Sequence, residues 1–205
     1  MRTKKLLLAA AAMAAGLISS QAQSNVYSVN IVGYVNKACP AGLSIIANPL
    51  NSSNNLATIM ATPPDFTQVL KWNGFDFDTA TFFFGSWDAD FVMAPGEGYF
   101  VNAPSAFTNT FVGTALVGSQ TNNLVAGLNM KASKIPVGGD GDSLALPSAL
   151  ANFDQVLLYS NGLGDYVTYT YFFGSWDIGA PVINVADGFF INSASGGSWV
   201  LTVNP

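Results

Sequence analysis

Short runs of β-branched and aromatic residues, polar and apolar in near alternation, recur along the chain between Gly, Asn, Asp and Pro. That pattern predicts strands rather than helices, because the two-residue period gives each segment one apolar face and the punctuating residues suit turns. Strands are expected at residues 29–35, 68–72, 79–87 and 99–102, and again at 156–159, 166–173, 189–192 and 199–203. Helical signals are minor. Residues 54–60, with Ser53 or Asn54 as a cap, and residues 143–150 each predict one or two turns, in the same slot ahead of a Gln-Val strand.

The chain repeats itself. Phe82-Phe83-Phe84-Gly85-Ser86-Trp87-Asp88 returns as Tyr171-Phe172-Phe173-Gly174-Ser175-Trp176-Asp177, six identities at an offset of 89. Ala41-Gly42-Leu43 returns as Ala126-Gly127-Leu128, Gln68-Val69 as Gln155-Val156, and Gly98-Tyr99-Phe100-Val101-Asn102 as Gly188-Phe189-Phe190-Ile191-Asn192. Ordered landmarks of this kind mark a tandem duplication. The expected fold class is all-β, with two homologous β-sandwich or barrel-like repeats, each carrying a short helical insertion. The expected division is a signal peptide at 1–22, repeat 1 at 23–112 and repeat 2 at 113–205. Residues 111–117 read as both the end of one copy and the start of the next, roles that are separated at the two termini. The terminal strands then either pair within one molecule and close the sheet or link molecules head to tail, the second being a route to self-association.

Charge and the N-terminus narrow the function classes. Arg2, Lys4 and Lys5 precede an apolar run at residues 6–18, followed by Ser20-Gln21-Ala22, the pattern of a secretory signal peptide cut before Gln23. Thirteen apolar residues fall short of the roughly 20 needed to span a bilayer, so no membrane insertion is expected after cleavage. The expected location is exported: periplasm, cell surface or extracellular medium. Cleavage leaves Lys37, Lys71, Lys131 and Lys134, scattered along the sequence, against twelve acids, a net charge of −8. So acidic a chain repels phosphate backbones, and no nucleic-acid partner is expected. Cys39 is the only thiol, so no internal disulfide forms, and it reads as a partly buried small hydrophobe.

Two further strings carry a resemblance: Val29-Asn30-Ile31-Val32-Gly33-Tyr34-Val35-Asn36 with Pro40-Ala41-Gly42-Leu43-Ser44-Ile45-Ile46-Ala47-Asn48-Pro49-Leu50, and Gln68-Val69-Leu70-Lys71-Trp72-Asn73 with Pro95-Gly96-Glu97-Gly98-Tyr99-Phe100-Val101-Asn102. In these the chain resembles uncharacterised exported two-repeat proteins of environmental Gram-negative bacteria and, more distantly, the β-rich repeats of bacterial and archaeal surface proteins. The resemblance implies a structural or adhesive role at the envelope or surface, with no catalytic residues to carry over. Copy two departs from it at Ala132-Ser133-Lys134-Ile135-Pro136 and at Val185-Ala186-Asp187-Gly188, which argues against two identical ligand sites.

Chemistry is sparse. The chain holds no His, which removes Ser-His-Asp and Cys-His catalysis and the commonest zinc ligand. Glu97, the only Glu, sits in a Pro-Gly-Glu-Gly turn; a glycosidase would need it paired with Asp88 or Asp177 across a bond. Turn-forming acids explain the same residues, and the chain is expected not to be an enzyme. Asp140 and Asp142, like Asn73-Gly74-Phe75-Asp76-Phe77-Asp78, space oxygens as a calcium loop does, but neither completes an EF-hand, and both are ordinary turn sequences. No other cofactor or metal is expected. Trp87 with Asp88 and Trp176 with Asp177, helped by Trp72 and Trp199, form the alternative: a carbohydrate-binding module that stacks indoles on a polysaccharide. Against it stands a core role for both tryptophans, with the preceding Gly marking a bulge that re-aims the indole.

Overall fold

The structure is a computed structural model and describes residues 31–204. The expected signal peptide at 1–22 and the first residues of the strand expected at 29–35 lie outside the described residues. The first repeat comprises β1 (Val32–Cys39), β2 (Gly42–Ala47), helix α1 (Leu56–Ile59), β3 (Gln68–Trp72), β4 (Phe77–Phe83), β5 (Ser86–Trp87), β6 (Gly98–Ala103) and β7 (Phe107–Thr114). The second comprises β8 (Gly118–Leu124), β9 (Gly127–Ala132), β10 (Gly139–Asp140), a 3₁₀ turn at Leu146–Ala149, β11 (Gln155–Ser160), β12 (Asp165–Phe172), β13 (Ser175–Trp176), β14 (Val182–Ile183), β15 (Gly188–Ser193) and β16 (Gly197–Val203).

All pairings between these strands are antiparallel, and the two copies build the same main sheets; copy two adds a short pairing of β10 with β14, where copy one has the single bridge Asn55–Val92. One five-stranded sheet runs β2-β6-β3-β4-β5 and its counterpart β9-β15-β11-β12-β13. Each is faced by a two-stranded ribbon, β1-β7 in one copy and β8-β16 in the other. The sheets stay open, so the sandwich form of the expectation holds and the closed barrel does not. Both terminal strands pair inside the molecule, but each within its own repeat, β1 with β7 and β16 with β8, so they do not close a sheet as expected. The expected boundary at 112/113 falls inside β7, and the sheet groups divide at 115–117.

Between ribbon and sheet lies a core in each copy: Ile46, Leu56, Val69, Tyr99 and Phe111 in the first, Leu144, Val156, Phe189, Ile191 and Trp199 in the second. Cys39 is buried in the first core, and burial pushes its thiol up, as the small-hydrophobe reading requires. The opposite faces of the two five-stranded sheets then meet around Ile45, Phe100, Met130 and Phe190. Being covered on both faces explains why β6 and β15 read as continuous apolar runs from glycine through to Val101 and Ile191.

The copies meet through a pseudo-two-fold arrangement. Ala47 N–H donates to the Ala186 carbonyl and Ala132 N–H to that of Gly96, each at 3.0 Å. Trp72 meets Phe190 edge-on at 6.0 Å as its counterpart Tyr159 meets Phe100 at 5.8 Å. Gly98 and Gly188, the first residues of β6 and β15, sit back to back on this axis. A Cβ on Gly188 would lie 3.0 Å from the Gly98 Cα and 2.9 Å from the Ile46 carbonyl oxygen. Only glycine allows the sheets to approach so closely.

The insertions differ in detail from expectation. Helix α1 is capped by neither Ser53 nor Asn54: Asn55 occupies the N-cap with no side-chain bond, and Asp90 Oδ1 accepts from Ala57 N–H at 3.2 Å. In copy two, Asp140 takes the slot of Asn55 and its Oδ1 accepts from Ser143 N–H at 2.7 Å. Among the described residues no helix is long and apolar enough to cross a membrane.

Candidate functional site

The repeated Phe-Phe-Gly-Ser-Trp-Asp segments are not the single strands expected at 79–87 and 166–173, nor is their glycine a bulge. Each is a hairpin with a two-residue loop. Phe83 pairs with Ser86 and Phe172 with Ser175, leaving Phe84-Gly85 and Phe173-Gly174 as the turns. Their φ values are 49° and 83° in the first copy and 47° and 85° in the second. Positive φ at both central residues is the type I′ turn, the one whose twist matches the flanking strands and which favours Asn-Gly. Phenylalanine at the first position is held in a left-handed conformation that costs about 1–2 kcal/mol.

A second phenylalanine joins each tip with the same strain. Phe66 (φ 68°) and Phe153 (φ 72°) donate their N–H groups to the carbonyls of Phe82 and Tyr171, both at 2.7 Å, and so lie against the hairpins. The outcome is a pair of aromatic triads. Phe66 and Phe84 flank Phe83 with ring centroids 5.5 and 4.2 Å away; Phe153 and Phe173 flank Phe172 at 4.9 and 4.4 Å. They face solvent: Phe84 is 79% exposed, Phe173 74%, Phe66 60% and Phe153 64%. The rings meet at tilted or edge-on angles and form a knob, not a flat platform.

Trp87 and Trp176 are half-buried just behind the tips. Trp87 packs edge-on to Phe82 at 5.4 Å and donates its indole N–H to the Met60 carbonyl at 2.9 Å. Trp176 packs on Tyr171 at 5.3 Å and donates to Asp142 Oδ1 at 2.8 Å. Each contributes one flank to its repeat's core. Their surroundings differ, since Trp87 borders an open depression of 470 Å³ with Asp88 and Asp90, whereas Trp176 lies so close to Gly141 that a Cβ there would come within 3.0 Å of its ring. Trp199, grouped with them in the sugar-stacking reading, is instead wholly buried and donates to the Leu144 carbonyl at 2.7 Å.

Asp88 and Asp177 act on the backbone. Asp88 Oδ1 accepts from Thr81 N–H at 2.7 Å, and Asp177 Oδ1 accepts from Thr170 and Ile178 N–H, both at 2.9 Å. Those bonds, that from Thr170 foremost, hold the Asp177 carboxyl below the usual carboxylate range. The calcium candidates are similarly engaged. Asp140 turns its carboxylate to Ser143, which lowers its pKa, and Asp142 receives Trp176. Asn73 Oδ1 accepts from Phe75 and Asp76 N–H at 3.1 and 2.8 Å in an Asx turn between β3 and β4. Among the described residues, no group of three or more His, Cys, Asp or Glu is placed to hold a metal.

The lysines, scattered in sequence, are not scattered in space. Lys71 from β3, Lys131 from β9 and Lys134 just beyond it gather about Glu97, where the turn before β6 crosses the edge of the other repeat. Lys71 Nζ lies 3.4 Å from Glu97 Oε2, which also accepts from the Tyr99 hydroxyl at 2.7 Å. Burial and the charge of Glu97 push the Tyr99 phenol far up, leaving it a neutral donor. Burial pushes the Lys131 ammonium down; Glu97 opposes this and Lys134 adds to it. Glu97 is thus flanked by cations and amides, and neither Asp88 nor Asp177 lines either of its hollows. The fourth lysine, Lys37, pairs with Asp187, the counterpart of Glu97.

Sequence reasoning missed the exposed triads and the lysine cluster. The signal for the first was Phe in place of Asn before Gly in both copies; the second had none, because it arises where β9 of one repeat packs beside the Glu97 turn of the other. Comparison of the chain with protein-family models, with curated proteins and with solved structures finds no match.

Proposed function

We propose that this protein is an exported, non-catalytic structural or adhesive component of the cell envelope or surface, acting through the aromatic tips of its two repeats. The single observation that carries this reading is the mirrored pair of exposed triads. Each retains two phenylalanines at positive φ where Asn or Gly would be unstrained, and each leaves large apolar rings in water. Strain and exposure together, kept in both copies, point to contact rather than stability. The occupant that fits is a second copy of the chain: the knobs carry no cation to attract an anionic surface, and one molecule presents two of them, enough to propagate an array.

The terminal strands are poor candidates for the link. The inner face of β1 supplies Val35 and Cys39 to the first core, so removing it would open the repeat rather than test association.

The test is sedimentation of the purified protein over a hundredfold concentration range, alongside Phe84→Asn, Phe173→Asn and the double variant. Growth into larger species is expected for the parent, arrest at dimers for each single variant, and monomer for the double. Because Asn-Gly suits a type I′ turn, each substitution should also raise stability by about 1 kcal/mol. A parent that stays monomeric throughout, or association untouched by the double variant, overturns the reading.

A further inference from the structure

We propose that the cleft between Lys71 and Lys131, with Lys134 in the adjoining hollow beyond Glu97, binds the carboxylate of an acidic sugar, a uronic acid residue. Three of the four lysines beyond residue 22 converge here, so a chain that is strongly acidic elsewhere carries a local cationic surplus. Such a concave patch concentrates anions.

The donors are unequal, and the difference shows which is free. Lys71 donates to the Val92 carbonyl at 3.1 Å and Lys134 to that of Thr121 at 2.6 Å. Among the described residues, Lys131 Nζ has no hydrogen-bond or ion-pair partner, although its side chain is half-buried between the repeats. A cation drawn partly out of water with its donors unfilled is ready for an anion. Asn123 adds a second free donor: its Oδ1 accepts from Ser198, while its amide N–H₂ has no acceptor among the described residues.

The rest of the lining selects among anions. Glu97 stands in the same cleft, repelling a doubly charged phosphate more than a singly charged carboxylate and offering an acceptor to hydroxyl groups. There is no arginine fork for a phosphate, since the only Arg is Arg2. Trp72, Val125 and Leu128 supply an apolar wall for the C–H face of a sugar ring. The hollow lined by Lys71, Lys131 and Trp72 measures 180 Å³, below the roughly 300–1,000 Å³ of drug-sized pockets, and so suits one ring of a polymer passing over it; Lys134 lines the adjoining hollow on the other side of Glu97.

Copy two cannot form the same site. Leu158 and Ile46 stand where Lys71 and Lys131 stand here, and Asp187 is already paired with Lys37. The proposal therefore requires one site per chain despite the duplication.

The experiment is calorimetric titration of the purified protein with a trigalacturonate, compared with neutral galactotriose and with inorganic phosphate at equal ionic strength. Saturable 1:1 binding of the uronate is expected, weakened at least about tenfold by Lys131→Gln and weakened by a tenfold rise in salt. Lys131→Gln should fold normally, because burial already disfavours the charge it removes; unchanged thermal unfolding checks this. Lys134→Gln, in the adjoining hollow and already donating to the Thr121 carbonyl, should weaken binding less. Binding of galactotriose as tight as the uronate, full competition by equimolar phosphate, a stoichiometry of two, or no saturation at about 10 mM would each overturn the proposal.

Discussion

Thr67 and Asp154 occupy the same position in the two copies, and their differences follow from which donors surround them. Asp154 is buried, yet its carboxylate accepts from Ala151 N–H at 3.0 Å, Ala194 N–H at 2.8 Å and the Ser193 hydroxyl at 2.8 Å. The corresponding residues of copy one are Pro64, Pro104 and Ala103, none of which has the N–H or O–H required. A carboxylate there would be buried without partners, and the chain places Thr67 instead, whose hydroxyl is itself buried and unbonded. Thr67→Val is accordingly expected to raise stability by about 1 kcal/mol, since it removes an unsatisfied polar group at nearly constant volume. Asp154→Ala is expected to lower it by about 3–5 kcal/mol, because three donors lose their acceptor. Urea denaturation of both variants checks the pair, and equal effects of the two substitutions would show that the asymmetry of donors does not govern the position.

The hairpins β4-β5 and β12-β13 show how much of an element the local sequence specifies. The strands were legible because β-branched and aromatic residues alternate between Gly, Asn and Pro, and the duplication located each strand twice. The turns within them were not. Three successive aromatics read as strand, and nothing local reports that Phe84 and Phe173 adopt a conformation in which Asn is favoured. Glu97 and the lysines were individually conspicuous, but their meeting depends on the packing of one repeat against the other, which no single segment encodes. The Asp after Trp also reads differently once placed: it fastens the far strand of the hairpin through its carboxylate. The pKa of Asp177 is lowered from 3.8 in the folded state, so its contribution is present above about pH 4 and is lost as pH falls through the lower folded value. The protection of the Thr170 amide, its exchange rate referred to the free-peptide rate at each pH, should therefore fall on acidification below pH 4, whereas Asp177→Asn, which keeps an acceptor oxygen that does not titrate in this range, should show no such pH step. Identical profiles would assign the protection to the strand pairing alone.

Across the whole molecule, the duplication has become an interface. Each repeat's five-stranded sheet is apolar on both faces, one covered by its own ribbon and the other by the sister sheet through Phe100, Phe190, Ile45 and Met130. The contacts are reciprocal, as in an isologous homodimer whose two subunits have been joined into one chain. A repeat without its sister would leave the face around Met130, Leu157 and Phe190 in water, a continuous apolar surface of the kind that drives association. Residues 115–205 expressed alone are therefore expected to pair with themselves, Gly188 against Gly188, rather than persist as folded monomers. Gly188→Ala in the same fragment should weaken that dimer, because the added methyl meets backbone across the axis; in the full chain it should cost about 1–3 kcal/mol. Sedimentation of the fragment, with near-ultraviolet circular dichroism to register packed aromatics, decides the matter. A folded monomer would mean that the ribbon and sheet of one copy suffice, and that the sister sheet is an addition to the fold rather than a condition of it.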